Sequence, residues 1–292
     1  MAWPAIVERL RRERRAAVLV TVIEVRGHAP REAGAKLVVA LASLPHDPVA
    51  RSPIQVWGTI GGGNLEETAL DRAAELLAGP PGAPQTLTVQ LNERAHTEHG
   101  RQCCGGVVTL LFEHLPVPPA VAVFGVGHVG LELARILSRQ ELELHLVDSR
   151  AERVSAGVLR FLDDAPASIH PHHAPLPELV LGEMPRGTHV LVMTHDHAED
   201  FALCDAALRC RHLASIGLIG SAAKWRRFQR ALQIEGHSPD AIARIQCPIG
   251  RPELAGKDPA TIALGVAVDL LPRLAPLGAD RSRGLGGSPV GQ

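Results

Sequence analysis

Tyrosine is absent from this 292-residue chain, and the other aromatic residues are few: five Phe and three Trp. Any mechanism that needs a tyrosine general acid is excluded, including the Tyr-Lys pair of short-chain dehydrogenases. The same scarcity argues against a platform for stacking single-stranded bases. Cores must be built from Leu, Val, Ile and Ala. Cysteine is also sparse: five residues, an odd number in a chain this long, do not read as a secreted disulfide framework. A reducing cytoplasm is the expected setting. Neither sign of charge is in excess, since 30 Lys+Arg face 31 Asp+Glu, and no globally basic surface invites nucleic acid. No apolar run approaches the ~18 residues of a membrane span. Glu8 and Arg9 break up the start before any signal-peptide core forms.

Apolar residues are plentiful, at 46% of the chain against 21% charged, which suits packed cores rather than disorder. At roughly 150 residues per domain, the length predicts about two domains. Trp3 to Arg15 has the spacing of an amphipathic helix whose arginines form either a solvated face or a dock for an acidic partner. Strands are expected at Ala17–Val25, Lys36–Leu41 and Ile54–Ile60, then a helix over Asn64–Leu77 and strands at Thr86–Leu91 and Val107–Glu113. These make a small N-terminal α/β domain, residues 1–114. The proline-rich stretch 115–120 reads as a stiff linker.

Beyond the linker the order becomes strand, Gly-rich turn, helix, strand. Residues 121–276 are expected to form a Rossmann-like, doubly wound parallel sheet, with a flexible tail at 277–292. Strands fit Val121–Phe124, Glu143–Val147, His189–Met193 and Ser215–Ile219; helices fit Leu131–Ser138, Glu199–Arg211, Ala222–Leu232 and Pro259–Leu271.

Several clusters offer chemistry. Gly125, Gly127 and Gly130 form G-V-G-H-V-G between a strand and a helix, and Asp148 ends the next strand. The glycines allow close approach of a pyrophosphate, and Asp148 suits ribose hydroxyls; alternatively the glycines only let helix and strand pack. His128 puts bulk into that loop. His195, Asp196 and His197 follow a strand end, where parallel sheets bind ligands, yet they also suit a helix cap. Gly61, Gly62 and Gly63 precede Asn64, a good N-cap, with Glu67 three residues on as in a capping box. The glycine amides also suit a phosphate. His28 and Arg31 bring an imidazole and a cation to a turn. Cys103 and Cys104 stand before Gly105 and Gly106, where thiolates suit a soft metal or a sulfur-bearing group. His96 and His99 lie upstream, although H-x2-H-x3-C-C matches no common zinc finger. Cys204, Cys210 and Cys247 read as packing, and His170, His172 and His173 as an exposed loop.

In order, the chain carries G-H-A-P-R (Gly27–Arg31), G-T-I-G-G-G-N-L-E (Gly58–Glu66), Q-C-C-G-G (Gln102–Gly106), V-F-G-V-G-H-V-G (Val123–Gly130) and T-H-D-H (Thr194–His197). I-G-L-I-G-S (Ile216–Ser221) with Lys224, C-P-I-G (Cys247–Gly250) and G-K-D-P-A-T-I-A (Gly256–Ala263) complete the series. This series resembles the xanthine dehydrogenase accessory proteins of the XdhC/CoxI type. The resemblance implies a molybdenum-cofactor chaperone: a protein that holds molybdopterin while a cysteine desulfurase exchanges a terminal oxo ligand of molybdenum for sulfur, then helps to load xanthine dehydrogenase. It implies Cys103 and Cys104 at the metal, and Gly61, Gly62, Gly63, Asn64, Glu66, His28 and Arg31 around the cofactor. The second domain adds Gly125, Gly127, His128, Gly130, Asp148, His195, Asp196 and His197. A cytoplasmic homo-oligomer, a dimer in the simplest case, is expected, with neither nucleic acid nor membrane as partner. The alternative is a nicotinamide-dependent oxidoreductase using the Gly125–Gly130 loop with NAD(P), which the missing tyrosine and His128 disfavour.

Overall fold

The computed structural model describes residues 2–42, 54–91, 105–251, 253–254 and 256–274. His96, His99, Cys103, Cys104 and the tail 277–292 lie outside the described residues. The chain divides between Val117 and Pro118 into two compact units. Leu115 ends one strand and Ala120 begins the next, so Pro116–Pro119 alone separate them.

The first unit contains α1 (Trp3–Arg12), β1 (Ala17–Arg26), β2 (Lys36–Leu41), β3 (Ile54–Gly58), α2 (Gly63–Ala78), β4 (Gln85–Gln90) and β5 (Val107–Leu115). Its strands form an antiparallel sheet in the order β3-β2-β1-β5-β4. The central strand is apolar on both faces, and alternation sorts its side chains. Val18, Val20 and Val22 pack with Leu65, Ala69 and Ala73 of α2, while Ala17 and Leu19 pack with Ile6 and Leu10 of α1. The arginines of α1 are not all solvated, since Arg9 lies over the Trp57 ring at 5.3 Å.

The second unit contains β6 (Ala120–Phe124), α3 (His128–Leu137), β7 (Glu143–Asp148), α4 (Ala156–Leu159), β8 (Ser168–His173), β9 (His189–Val192) and α5 (His197–Arg209). After these come β10 (Ser215–Leu218), α6 (Ala222–Ile234), α7 (Pro239–Ile242), β11 (Ile245–Gln246) and α8 (Pro259–Leu274). Every pairing is parallel, in the order β11-β10-β9-β6-β7-β8. This is the doubly wound order whose direction reverses between the first and fourth strands, here β6 and β9. β6 is buried along its whole length, as a strand covered on both faces must be. Residues of α3 and α8 fill one side of the sheet, and those of α5 and α6 the other.

Two expectations are corrected. His170, His172 and His173 do not form a loop: they lie on β8, an edge strand paired with β7. Pro171 hid it in the sequence, yet an edge position tolerates a residue without an amide donor. Asn64 is not a cap, because α2 begins at Gly63 with Gly62 before it. Among the described residues, no helix is long and apolar enough to cross a membrane.

Candidate functional site

In the first unit, three of the sequence motifs meet at one end of the sheet. A Cβ on Gly106 would lie 2.1 Å from the His28 carbonyl oxygen, and one on Gly61 would lie 2.5 Å from Pro30 Cβ. The G-H-A-P-R loop is therefore seated against both the Gly105–Gly106 pair and the tri-glycine turn, in spaces that only glycine leaves open. Leu91 extends the contact. Its N–H donates to Gly106 O and its carbonyl accepts from Gly105 N, each at 2.7 Å. The two residues that bracket positions 92–104 are thus tied together beside the loops. His28 and Arg31 are exposed there.

The tri-glycine turn is closed by its own carboxylate. Glu66 Oε2 accepts from Ile60 N at 3.2 Å, Gly62 N at 3.1 Å and Thr59 Oγ1 at 2.6 Å. Gly61 N donates to Thr59 Oγ1 at 3.1 Å. Glu66, not Asn64 or Glu67, caps this turn. A phosphate would find these amides engaged and a negative charge among them; Arg31 is an exposed cation on the neighbouring loop.

In the second unit the glycines of the phosphate-type loop are packing devices first. A Cβ on Gly125 would lie 2.4 Å from Met193 O, and one on Gly130 2.2 Å from Gly125 O. Gly127 caps α3 and His128 opens it, exposed. Asp148 is only 2% exposed. Its Oδ2 accepts from Val126 N at 2.8 Å and Arg150 Nη2 at 3.0 Å, and its Oδ1 from Arg150 Nε at 2.9 Å and Arg150 N at 3.0 Å. The carboxylate expected to meet a ribose thus already anchors the loop.

Burial opposes ionisation of Asp148, but the hydrogen bonds from Arg150 and Val126 outweigh it and hold its carboxyl below the usual carboxylate range. A depressed folded value stabilises the fold above the unfolded carboxyl value of about 3.9, and that contribution vanishes as pH falls through the folded value. Asp148→Asn should therefore lower the urea midpoint near neutral pH. The gap to wild type should close on acidification below about pH 4. Parallel midpoint curves for the two proteins would contradict this.

His195, Asp196 and His197 are exposed at the end of β9. Asp196 caps α5, accepting from Ala198 N at 2.6 Å and Glu199 N at 3.0 Å. Those two bonds keep its carboxyl below the ordinary range. Behind this loop lies a network that the sequence did not reveal. Asp200, 1% exposed, receives Thr194 N at 3.0 Å and Thr194 Oγ1 at 2.7 Å on Oδ1, and Lys224 Nζ on Oδ2. Lys224 Nζ also donates to Ile219 O at 3.1 Å. Its stem occupies the space where Gly220 lacks a Cβ, which would sit 2.8 Å from Lys224 Cδ. The motif I-G-L-I-G-S with its trailing lysine thus builds a buried ion pair. Sequence carried one signal for it: an acidic residue four positions after Asp196, turned toward the core side of α5.

Residues 121–270, just over half of the chain, match the XdhC Rossmann domain. The chain belongs to the XdhC family. Residues 10–90 match the XdhC and CoxI family. The uncharacterized protein YqeB of Escherichia coli K12 is 22% identical over 253 residues, covering 87% of this chain and 42% of the relative. This XdhC-family chain therefore spans less than half the length of that relative. A solved structure described as a xanthine dehydrogenase from Bacillus halodurans aligns over 99% of this chain and 98% of its own, at 18% identity and a TM-score of 0.44.

Proposed function

We propose that this chain is a molybdenum-cofactor chaperone acting in xanthine dehydrogenase maturation. It holds molybdopterin while a cysteine desulfurase replaces a terminal oxo ligand of molybdenum with sulfur, and passes the product to xanthine dehydrogenase. Membership of the XdhC family supports this, as that family is associated with maturation of the enzyme. The observation that carries the reading is the meeting of the His28–Arg31 loop, the Gly61 turn and Gly105–Gly106. Cys103 and Cys104 directly precede that last pair. Soft thiols for the metal, a cation for the phosphate and an imidazole for polar edges are chemically matched to such a cargo. A reducing cytoplasm would keep those thiols free.

A nicotinamide-dependent oxidoreductase is the weaker reading, because Asp148 is buried and engaged through both oxygens. Micromolar NAD binding by calorimetry, with turnover of a small alcohol or acid, would favour it instead.

The chaperone reading is tested by reconstitution. Purified chain, a cysteine desulfurase and cofactor are added to unsulfurated xanthine dehydrogenase, and the yield of active enzyme is measured. Gly106→Ala forces the His28 carbonyl away from the loop cluster. It should cost about 1–3 kcal/mol of stability and lower the yield per folded chain by roughly tenfold. Wild-type yield from the folded variant would contradict the loop cluster as the binding place.

A further inference from the structure

On the second unit's sheet, away from the Gly125 loop and the Asp200 pair, strand periodicity brings four metal-competent side chains to one face. Glu143 and His145 are two apart on β7, and His170 and His172 two apart on β8. Parallel register sets His145 beside His170 and Val147 beside His172. One ligand atom each from Glu143, His145 and His170 lies within 4.8 Å of the others. His145 Nε2 is 4.0 Å from Glu143 Oε2. On the other side of the ring, His145 Nδ1 is 3.1 Å from His172 Nε2. The His145 ring is stacked on both neighbours, 4.7 Å from His170 and 5.3 Å from His172 between centroids.

A strand buried between two others in a doubly wound sheet normally offers Val, Ile or Leu at such a position. Here an imidazole only 7% exposed takes it, with Ala122 as its small neighbour on β6. We propose that Glu143, His145 and His170 form a site for a divalent first-row transition metal of the zinc class. Two imidazoles and one carboxylate are a borderline donor set that suits zinc rather than magnesium or calcium. In this arrangement Nε2 of His145 faces the metal and its Nδ1–H donates to His172 Nε2, so His172 orients the ligand from behind. His170 is exposed on the edge strand. Its ring can turn to close the site, and its side of the cluster is the way in for the ion. Three protein ligands leave a tetrahedral ion one position for water. This site is independent of cofactor handling by the first unit.

The test is metal titration of the full chain carrying Cys103→Ser and Cys104→Ser, which removes those thiols from competition. Zinc affinity is measured against a chromophoric chelator, and cobalt is used as a spectroscopic probe. The expected result is one ion per chain at micromolar concentration or tighter, with a cobalt spectrum lacking a thiolate charge-transfer band. His170→Ala, at an exposed position, should fold normally by circular dichroism and weaken zinc by at least ~100-fold. His172→Ala should weaken it by roughly 10–100-fold. No binding in the micromolar range, a thiolate band, or equal affinity in the His170→Ala variant would each overturn the assignment.

Discussion

Lys224→Met should destabilise the parallel-sheet unit by about 3–5 kcal/mol, far more than a surface lysine substitution. Methionine keeps the side chain as far as Cε and removes the charged ammonium. What remains is the Asp200 carboxylate, 1% exposed, whose Oδ2 has lost the ammonium. Water cannot replace the lost partner without opening the packing of α5 against the sheet, so the carboxylate's desolvation is left without compensation. Asp200→Asn in the same chain should recover much of the loss, because a neutral amide still accepts from Thr194. Urea midpoints of the wild type, the single variants and the double variant close the cycle. A Lys224→Met midpoint within about 0.5 kcal/mol of wild type would show that the pair is not holding this end of the sheet.

Replacing Cys103 and Cys104 with Ala should have the largest effect on function. If the thiols bind the metal directly, cofactor affinity falls by more than ~1000-fold; if they only hydrogen-bond, the loss is nearer tenfold. Cys204 and Cys247 serve as controls. Burial, aided by the nearby Asp200 charge, pushes the Cys204 thiol up to about 12, and burial pushes Cys247 up to about 11. Neither is a thiolate at neutral pH, so neither competes as a soft ligand. Cys204→Ala should lower stability, through the packing of α5, while leaving bound cofactor per folded chain unchanged.

The doubly wound sheet was legible because its signals are local. An apolar run, glycines at fixed offsets and a helical period mark β6, the turn and α3 without reference to anything distant. The loop cluster of the first unit was legible only as separate motifs, since nothing in the sequence says that Gly106 must meet His28. Long-range pairs stayed hidden for the same reason. Asp200 and Lys224 are 24 residues apart, so the core-side position of Asp200 on α5 does not by itself name its partner. Glu66 misled differently: it can reach back to Gly62 N as readily as Asn64 could have capped, and the choice depends on the geometry of the tri-glycine turn. On β8, Pro171 and the run of histidines masked a strand whose pairing with β7 supplies what its own sequence does not. Cys247 directly follows β11, a strand too short to leave a readable period.

Cofactor binding is read most directly from the molybdopterin content of the protein as purified. The full chain is isolated from a host competent in molybdenum-cofactor synthesis, oxidised in acid, and assayed for molybdopterin fluorescence per folded chain. Clear fluorescence is expected from the wild type, with its loss from the Cys103→Ala, Cys104→Ala variant and its retention in Cys204→Ala. A wild type without fluorescence, or a double variant that fluoresces equally, would contradict it.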